Sequence, residues 1–221
     1  MSEEVMSGSA FAANGLSEWT PLGRAVQARF ATGDFATGVR FVDRIGAAAD
    51  AANHHPDVTL TYPAVDVLVT SHDVDGLTER DVDLARTISA IAAELGIETR
   101  PGAAQRLELA LDTWDVPALR RFWTAAYGLE RPSGPEDEVR DPTGALPTLW
   151  FQEAAEHPEP PQRFHLDVWI DPDRVQSRIE ACLAAGGTLV SDAAAPSFWV
   201  VADPQGNKVC FCTYRDRSAD H

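Results

Sequence analysis

The sequence predicts an α+β protein built as two domains in series. Three observations carry this. The first hundred residues interleave alternating β-branched segments with two amphipathic helical stripes. A break follows at Pro101-Gly102. Beyond it, a strand–helix–strands order occurs twice. A chain of 221 residues with 44% hydrophobic content is long enough to bury a core in each half.

The elements follow in order. The opening residues carry acids and no apolar run, so 1–13 are expected to form a disordered tail rather than a leader. Val26, Ala28 and Phe30 alternate as a first strand. Thr32-Gly33-Asp34 makes a turn, with Asp34 a helix N-cap. Phe35, Val39, Val42, Ile45 and Ala49 recur at three- and four-residue spacing, which gives a helix ending near Ala52 with that stripe packed on a sheet. Val58–Ser71 reads as two strands about a turn at Pro63. Thr78-x-x-Asp81 has capping-box spacing, and Val82, Ala85, Ile88, Ile91 and Leu95 line a second helix that Gly96 ends. Residues 14–98 thus form an antiparallel sheet with two helices, and 99–104 a linker.

Three histidines and a carboxylate gather in one place. Half of the six histidines, His54, His55 and His72, fall within nineteen residues, at a helix-to-strand turn and at the end of a strand of the same sheet. Asp50 stands one helical turn before His54, where its carboxylate can face the same pocket. Imidazole titrates near neutrality, so such a cluster can hold both a proton donor and an acceptor. A solvated His-His loop is the plainer reading of the spacing alone, and a capping role explains Asp81 without chemistry.

Asp50-x-x-x-His54-His55-Pro56, then Tyr62, Ser71-His72 and Gly76-Leu77-Thr78-x-x-Asp81-x-x-Leu84-Ala85, with Trp19 and Phe30-x-x-x-x-Phe35 upstream, resembles the pterin-4a-carbinolamine dehydratase family. Asp50 and Ser71 stand where the family usually has Glu and commonly has Thr. The resemblance implies dehydration of a 4a-hydroxy-tetrahydropterin to the quinonoid dihydropterin, with His54, His55, His72 and Asp50 as catalytic residues and no cofactor. It places Trp19, Pro56, Asp57, Ser71 and Asp73 around the substrate, Trp19 serving either as an apolar wall or as core. It also implies a homo-oligomer. The alternative is a non-catalytic small-molecule-binding, dimerisation or regulatory protein.

Composition narrows the partners. The net charge is −16, spread over both halves: 15 acids against 7 bases through Arg100, then 19 against 11. An evenly acidic chain repels phosphate backbones and anionic bilayers, so nucleic acid and membrane are excluded as expected partners. Cys182, Cys210 and Cys212 form no CxxC motif, which with the absence of an apolar span suggests reduced thiols and a cytoplasmic location. Lys208 is the one lysine, and nothing around it suggests Schiff-base chemistry.

In the second half Leu107–Asp112 alternates as a strand, Val116–Tyr127 is helical, and Leu146–Phe151 is a strand after a Pro-, Gly- and charge-rich loop. Phe164–Ile170 is a strand, Pro172 opens a helix lined by Val175, Ile179, Cys182 and Leu183, and Thr188–Val190, Phe198–Ala202 and Lys208–Thr213 are strands. The result is a paired βαβββ arrangement over 105–216, with 217–221 a tail.

Leu109–Thr113, Arg121-Phe122-Trp123 with Gly128-Leu129, Arg163–Asp167 and Trp199–Asn207, which ends in an Asp-Pro-x-Gly-Asn turn, resemble the glyoxalase-like branch of the vicinal-oxygen-chelate superfamily. Members often hold a divalent metal on these strands. Their pattern falls here on Glu108, Gln152 or Glu153, His165 and Cys210. Two good ligands are too few, so the expectation is no catalytic metal, with an unknown small ligand held in a cavity lined by Glu108, Trp150, Trp169, His165 and Trp199.

Overall fold

The computed structural model describes residues 4–126, 129, 131, 134–142, 144, 146–155, 164–184, 186–202 and 208–217. The chain divides into two compact units. The first comprises the chain up to Gln105 with Ile170–Val175 and the segment from Thr213; the second is Arg106–Trp169 and Gln176–Cys212. No helix among the described residues is long and apolar enough to cross a membrane.

The first unit starts earlier than its composition suggests. Met6 bridges Leu77, and α1 (Gly8–Ala12), capped by Ser7, buries Phe11 completely. The expectation of a disordered tail over 1–13 is therefore corrected over the described residues. One aromatic ring sunk in the core outweighs the polar composition around it. β1 (Thr20–Leu22) and β2 (Ala25–Ala31) then form a hairpin, with Pro21 on the outer strand.

α2 (Phe35–Ala52) is capped by Asp34, whose carboxylate accepts from the Thr37 amide. Its inward face is Gly38, Phe41, Ile45 and Ala49. The expected stripe is corrected here: Phe35 and Val39 are about half exposed, at 50% and 47%, and Phe41 takes the core position, edge-on to Phe30. The stripe was turned because a glycine, invisible to a hydrophobicity pattern, lies at the centre of the contact. A Cβ at Gly38 would overlap the Leu60 side chain.

β3 (Asp57–Thr61) and β4 (Ala64–Val69) follow as a hairpin with Asp57 opposite Leu68, and α3 (Glu79–Glu94) follows a capping box made by Thr78 and Asp81. The sheet order is β1-β2-β4-β3, with β5 (Glu98–Thr99) also pairing β2. Thr99, expected in the linker, is thus a strand residue opposite Phe30. Phe11, Trp19, Phe30, Phe41, Val67 and Ile88 belong to one buried cluster in this unit.

The repeat runs from Gln105 to Cys212, nearly all of it in the second unit. β6 (Gln105–Thr113), α4 (Val116–Ala126), β7 (Glu138–Val139) and β8 (Thr148–Glu153) make the first half. β9 (Phe164–Ile170), a 3₁₀ turn at Pro172–Arg174, α5 (Val175–Ala184), β10 (Thr188–Ser191), β11 (Phe198–Ala202) and β12 (Lys208–Cys212) make the second. The sheet order is β10-β11-β12-β9-β6-β8-β7. In each half the first strand lies parallel to the last, β6 with β8 and β9 with β12, and the two first strands are neighbours at the centre. Leu119 and Trp123 pack α4 on Leu111, Val139, Leu149 and Phe151. The Asp203–Asn207 turn, Tyr127, Gly128, Arg163, the side chains of Arg121 and Phe122, Met1–Glu3 and Ser218–His221 lie outside the described residues.

Replacing Phe11 by Ala should cost the first unit about 3–5 kcal/mol, the usual loss for a fully buried phenylalanine. Denaturant unfolding measures it; a change near zero would restore the disordered tail.

Candidate functional site

The polar centre of the first unit is a buried carboxylate. Asn53 takes the left-handed conformation at the end of α2 (φ 47°), and the His54 amide closes back on Ala49 O at 3.1 Å. That turn drops the His54 ring inward, where it is 7% exposed. Its Nε2 lies 2.8 Å from Asp81 Oδ1, and Asp81 is wholly buried. The other oxygen, Oδ2, accepts from the Thr78 amide at 2.7 Å and from the Ser71 hydroxyl at 2.7 Å. Ser71 and Thr78 hydroxyls are 2.8 Å apart. Asp81 is therefore both cap and histidine partner. The two readings of this residue were not alternatives, because a carboxylate has two oxygens and the cap uses one.

These bonds tie four segments together: the end of α2, the end of β4, the turn before α3 and the first turn of α3. With Oδ2 filled by donors, Oδ1 accepts from His54 Nε2–H, which fixes the ring and leaves Nδ1 for other chemistry.

The remaining predicted residues separate by exposure. His55 and Asp50 pair at 3.0 Å, both well exposed, so Asp50 serves His55 and not the His54 side of the turn. His72 is exposed, three residues past β4, and its ring makes no hydrogen bond among the described residues. Asp57 opposite Leu68 puts the His54-His55 turn and the Ser71-His72 turn at the same end of the β3–β4 hairpin. Asp73 is exposed and bonds Arg80 at 2.7 Å. That bond is the main reason its carboxyl is held below the usual range, and the His54 charge adds a smaller pull. Pro56 is half-buried and Asp57 exposed.

Two substrate-contact expectations are corrected. Ser71 is fully buried and spends its hydroxyl on Asp81 and Thr78, so it supports the site from behind. Trp19 is 3% exposed, edge-on to Phe30, with its indole N–H on Ser89 at 2.9 Å; it is core. A cavity of about 550 Å³ beside it, lined by Glu18, Ser89, Ala92, Ala93, Ile97, Glu98 and Thr99, includes none of the histidines.

In the second unit strand register decides which residues meet, because side chains alternate faces and directly paired residues share one. Asp112 pairs Gln152, Ala110 pairs Trp150, Asp167 pairs Cys210 and Cys210 pairs Val200. Trp150, Gln152, Asp112, His165, Asp167 and Cys210 therefore lie on one face. Trp199 pairs Phe211 and belongs to the opposite face, which corrects its place in the expected cavity. Glu108 shares the first face but accepts from the Trp169 indole at 3.0 Å and lies 3.5 Å from Arg106.

His165 sits among acids. Its Nδ1 is 3.4 Å from Asp167 Oδ1, and its Nε2 is 3.6 Å from Asp112 Oδ1 and 3.3 Å from Gln152 Oε1. The Asp167 carboxylate beside the ring raises its pKa above the ordinary histidine value; partial burial opposes this and the Asp112 charge adds to it. Sequence reasoning passed over Asp112 and Asp167, although the period of two from His165 to Asp167 was there to be read.

Residues 4–91 match the family model for pterin 4 alpha carbinolamine dehydratase, and residues 108–212 match that for a glyoxalase-like domain. A protein of Burkholderia cenocepacia (strain HI2424) named "Putative pterin-4-alpha-carbinolamine dehydratase" is 43% identical over 91 residues, 40% of this chain and 85% of its own length. Among solved structures, a transcriptional coactivator/pterin dehydratase from Brucella melitensis is 29% identical, spanning 40% of this chain and 99% of its own, with a TM-score of 0.39. A glyoxalase/bleomycin resistance protein/dioxygenase superfamily member from Vibrio splendidus 12B01 is 14% identical, spanning 49% and 98%, with a TM-score of 0.32.

Asp81→Ala should destabilise the first unit by about 2 kcal/mol or more, since it strips a helix cap and leaves buried donors unmet. Asp83→Ala, which removes only an exposed pair with Arg86, should stay within about 0.5 kcal/mol of the parent. Equal effects in parallel denaturant titrations would remove Asp81 from the centre of the site.

Proposed function

The chain belongs to the pterin 4 alpha carbinolamine dehydratase family through residues 4–91, and from that premise we propose that its first unit dehydrates a 4a-hydroxy-tetrahydropterin to the quinonoid dihydropterin. The observation that carries the proposal is one buried imidazole fixed by Asp81, with two exposed imidazoles on the turns at the same hairpin end.

The chemistry needs two proton movements. The C4a–OH bond breaks and the oxygen leaves as water, taking a proton from an imidazolium. The N5–H proton passes to a neutral imidazole, and its electron pair forms the N5=C4a double bond. Redox state does not change, so the step calls for no cofactor. His55 and His72 are open to solvent and can exchange protons between turnovers. His54 is held as an orienting carboxylate holds a catalytic imidazole, with its ring angle and proton-bearing nitrogen set by Asp81. Asp50 lies against His55 Nε2 at 3.0 Å and orients that ring. Asp57, Pro56 and Asp73 flank the histidines and are the residues proposed to meet the pterin.

The same reading includes self-association. β3 is an edge strand with alternate residues exposed, Tyr62 at its turn is 69% exposed, and Phe35 and Val39 stand out from α2. Such an edge calls for a cover, and a second copy of the chain would supply one. Light scattering at micromolar concentration should give a mass well above 23.9 kDa; a mass at that value refutes the association.

Dehydration followed by absorbance of the quinonoid product, from carbinolamine generated in the cuvette, tests the activity. His54→Ala and His72→Ala should each lower the catalysed rate by about 10²-fold, the scale of a positioned acid or base. Folded variants with unchanged rates would leave a binding or regulatory protein as the better account.

A further inference from the structure

The metal pattern of the glyoxalase-like strands assembles only in part in this chain. Of its positions, Glu108 is taken by Trp169 and Arg106, and Gln152 lies against His165 Nε2, while His165 and Cys210 come together. Asp167, outside that pattern, joins these two. Ligating atoms of His165, Asp167 and Cys210 lie within 4.8 Å of one another, on β9 and the parallel strand β12.

We propose that His165 Nδ1, Asp167 Oδ1 and Cys210 Sγ hold a zinc ion. Asp167 Oδ1 is 3.4 Å and Cys210 Sγ 3.8 Å from the same ring nitrogen. Nδ1 carries at most one hydrogen and cannot satisfy both; an ion between the three can. In a tetrahedral zinc site, with bonds of about 2.0–2.1 Å to nitrogen, 2.0–2.2 Å to oxygen and 2.3 Å to sulfur, the N···O separation comes to about 3.4 Å and N···S to about 3.6 Å. The observed 3.4 Å agrees with the first and the observed 3.8 Å is slightly longer than the second, with oxygen and sulfur within 4.8 Å of each other.

Burial supplies the second argument. Asp167 is 8% exposed, and its Oδ1 is buried without a hydrogen-bond partner. The approach it does have, His165 Nδ1 at 3.4 Å, is too loose to replace the lost solvation of a buried carboxylate oxygen, and a metal cation there would do so. Its other oxygen is held at 3.2 Å by the Trp150 indole, which aims Oδ1.

The third argument is the surround. A metal-bound histidine commonly gives its outer nitrogen to an acceptor that fixes the ring. Here Nε2 faces Gln152 Oε1 at 3.3 Å and Asp112 Oδ1 at 3.6 Å. Binding would release the thiol proton of Cys210, leaving imidazole, carboxylate and thiolate. That mixed set suits zinc rather than magnesium or calcium, which prefer oxygen alone. Three protein donors leave a fourth position for water or an oxygen-bearing ligand. The expectation of no metal counted His165 and Glu108 as good ligands beside Gln152 or Glu153 and Cys210; the proposed set keeps His165 and Cys210 and adds Asp167 in place of Glu108.

The test uses the full chain, stripped by chelator and titrated with zinc and, separately, with cobalt(II). One zinc per chain is expected. The cobalt form should show sulfur-to-cobalt charge-transfer absorption that Cys210→Ser abolishes. Asp167→Asn should weaken zinc binding by at least about 10-fold, while Glu108→Gln binds as the parent does. Should Cys210→Ser fail to fold, the parent's cobalt spectrum alone reports whether sulfur is bound. No stoichiometric zinc, a cobalt spectrum without the sulfur band, or zinc lost in Glu108→Gln but kept in Asp167→Asn would each overturn the assignment.

Discussion

A single buried carboxylate organises the first unit. Asp81 begins α3, closes the turn after β4 through Ser71 and fixes His54 at the end of α2. Left unpaired, a wholly buried carboxylate would be a heavy cost. The fold meets it with a backbone amide, a hydroxyl and an imidazole drawn from three segments outside α3. The histidine geometry and the capping of α3 are then one requirement, so neither can drift without the other.

Much of this unit was legible in the sequence because local signals agreed with one another. Asp34 and Thr78 cap the helices they should, Gly96 ends the second with a positive φ, and the β-branched run folds as a hairpin. The misses share a cause. Phe11, Phe41 and Gly38 take their roles from neighbours far away in sequence, and a periodicity reads only near ones. The same limit made Trp19 ambiguous until Phe30 and Ser89 enclosed it. The site residues were visible as residue types; the division into one buried and two exposed histidines was not.

In the second unit, the architectural repeat was legible and the grouping on the sheet was not. A run such as Phe164–Ile170 announces a strand, but which partner lies opposite Asp167 depends on a register fixed by the whole sheet. Reading polar residues by sequence position therefore singled out Glu108 and passed over Asp167, which shares a face with His165 and Cys210. The parallel pairing of first and last strands in each half places Asp112 and His165 on adjacent central strands, so the two halves contribute to one polar row.

Gly38 carries a last consequence. An interior helical glycine is normally a weak point, and alanine there would raise helix propensity by about 1 kcal/mol. At this position the missing methyl is a spacer of zero width: it lets α2 settle onto Leu60 of the edge strand. Leu60 and Val58 are the side chains by which β3 holds to the core. An alanine there would meet the Cδ1 end of the Leu60 side chain and no backbone atom, so a change of Leu60 rotamer is what it would demand. The helix gain at residue 38 is thus set against the repacking of one side chain, and through it against the hold of β3 on the core.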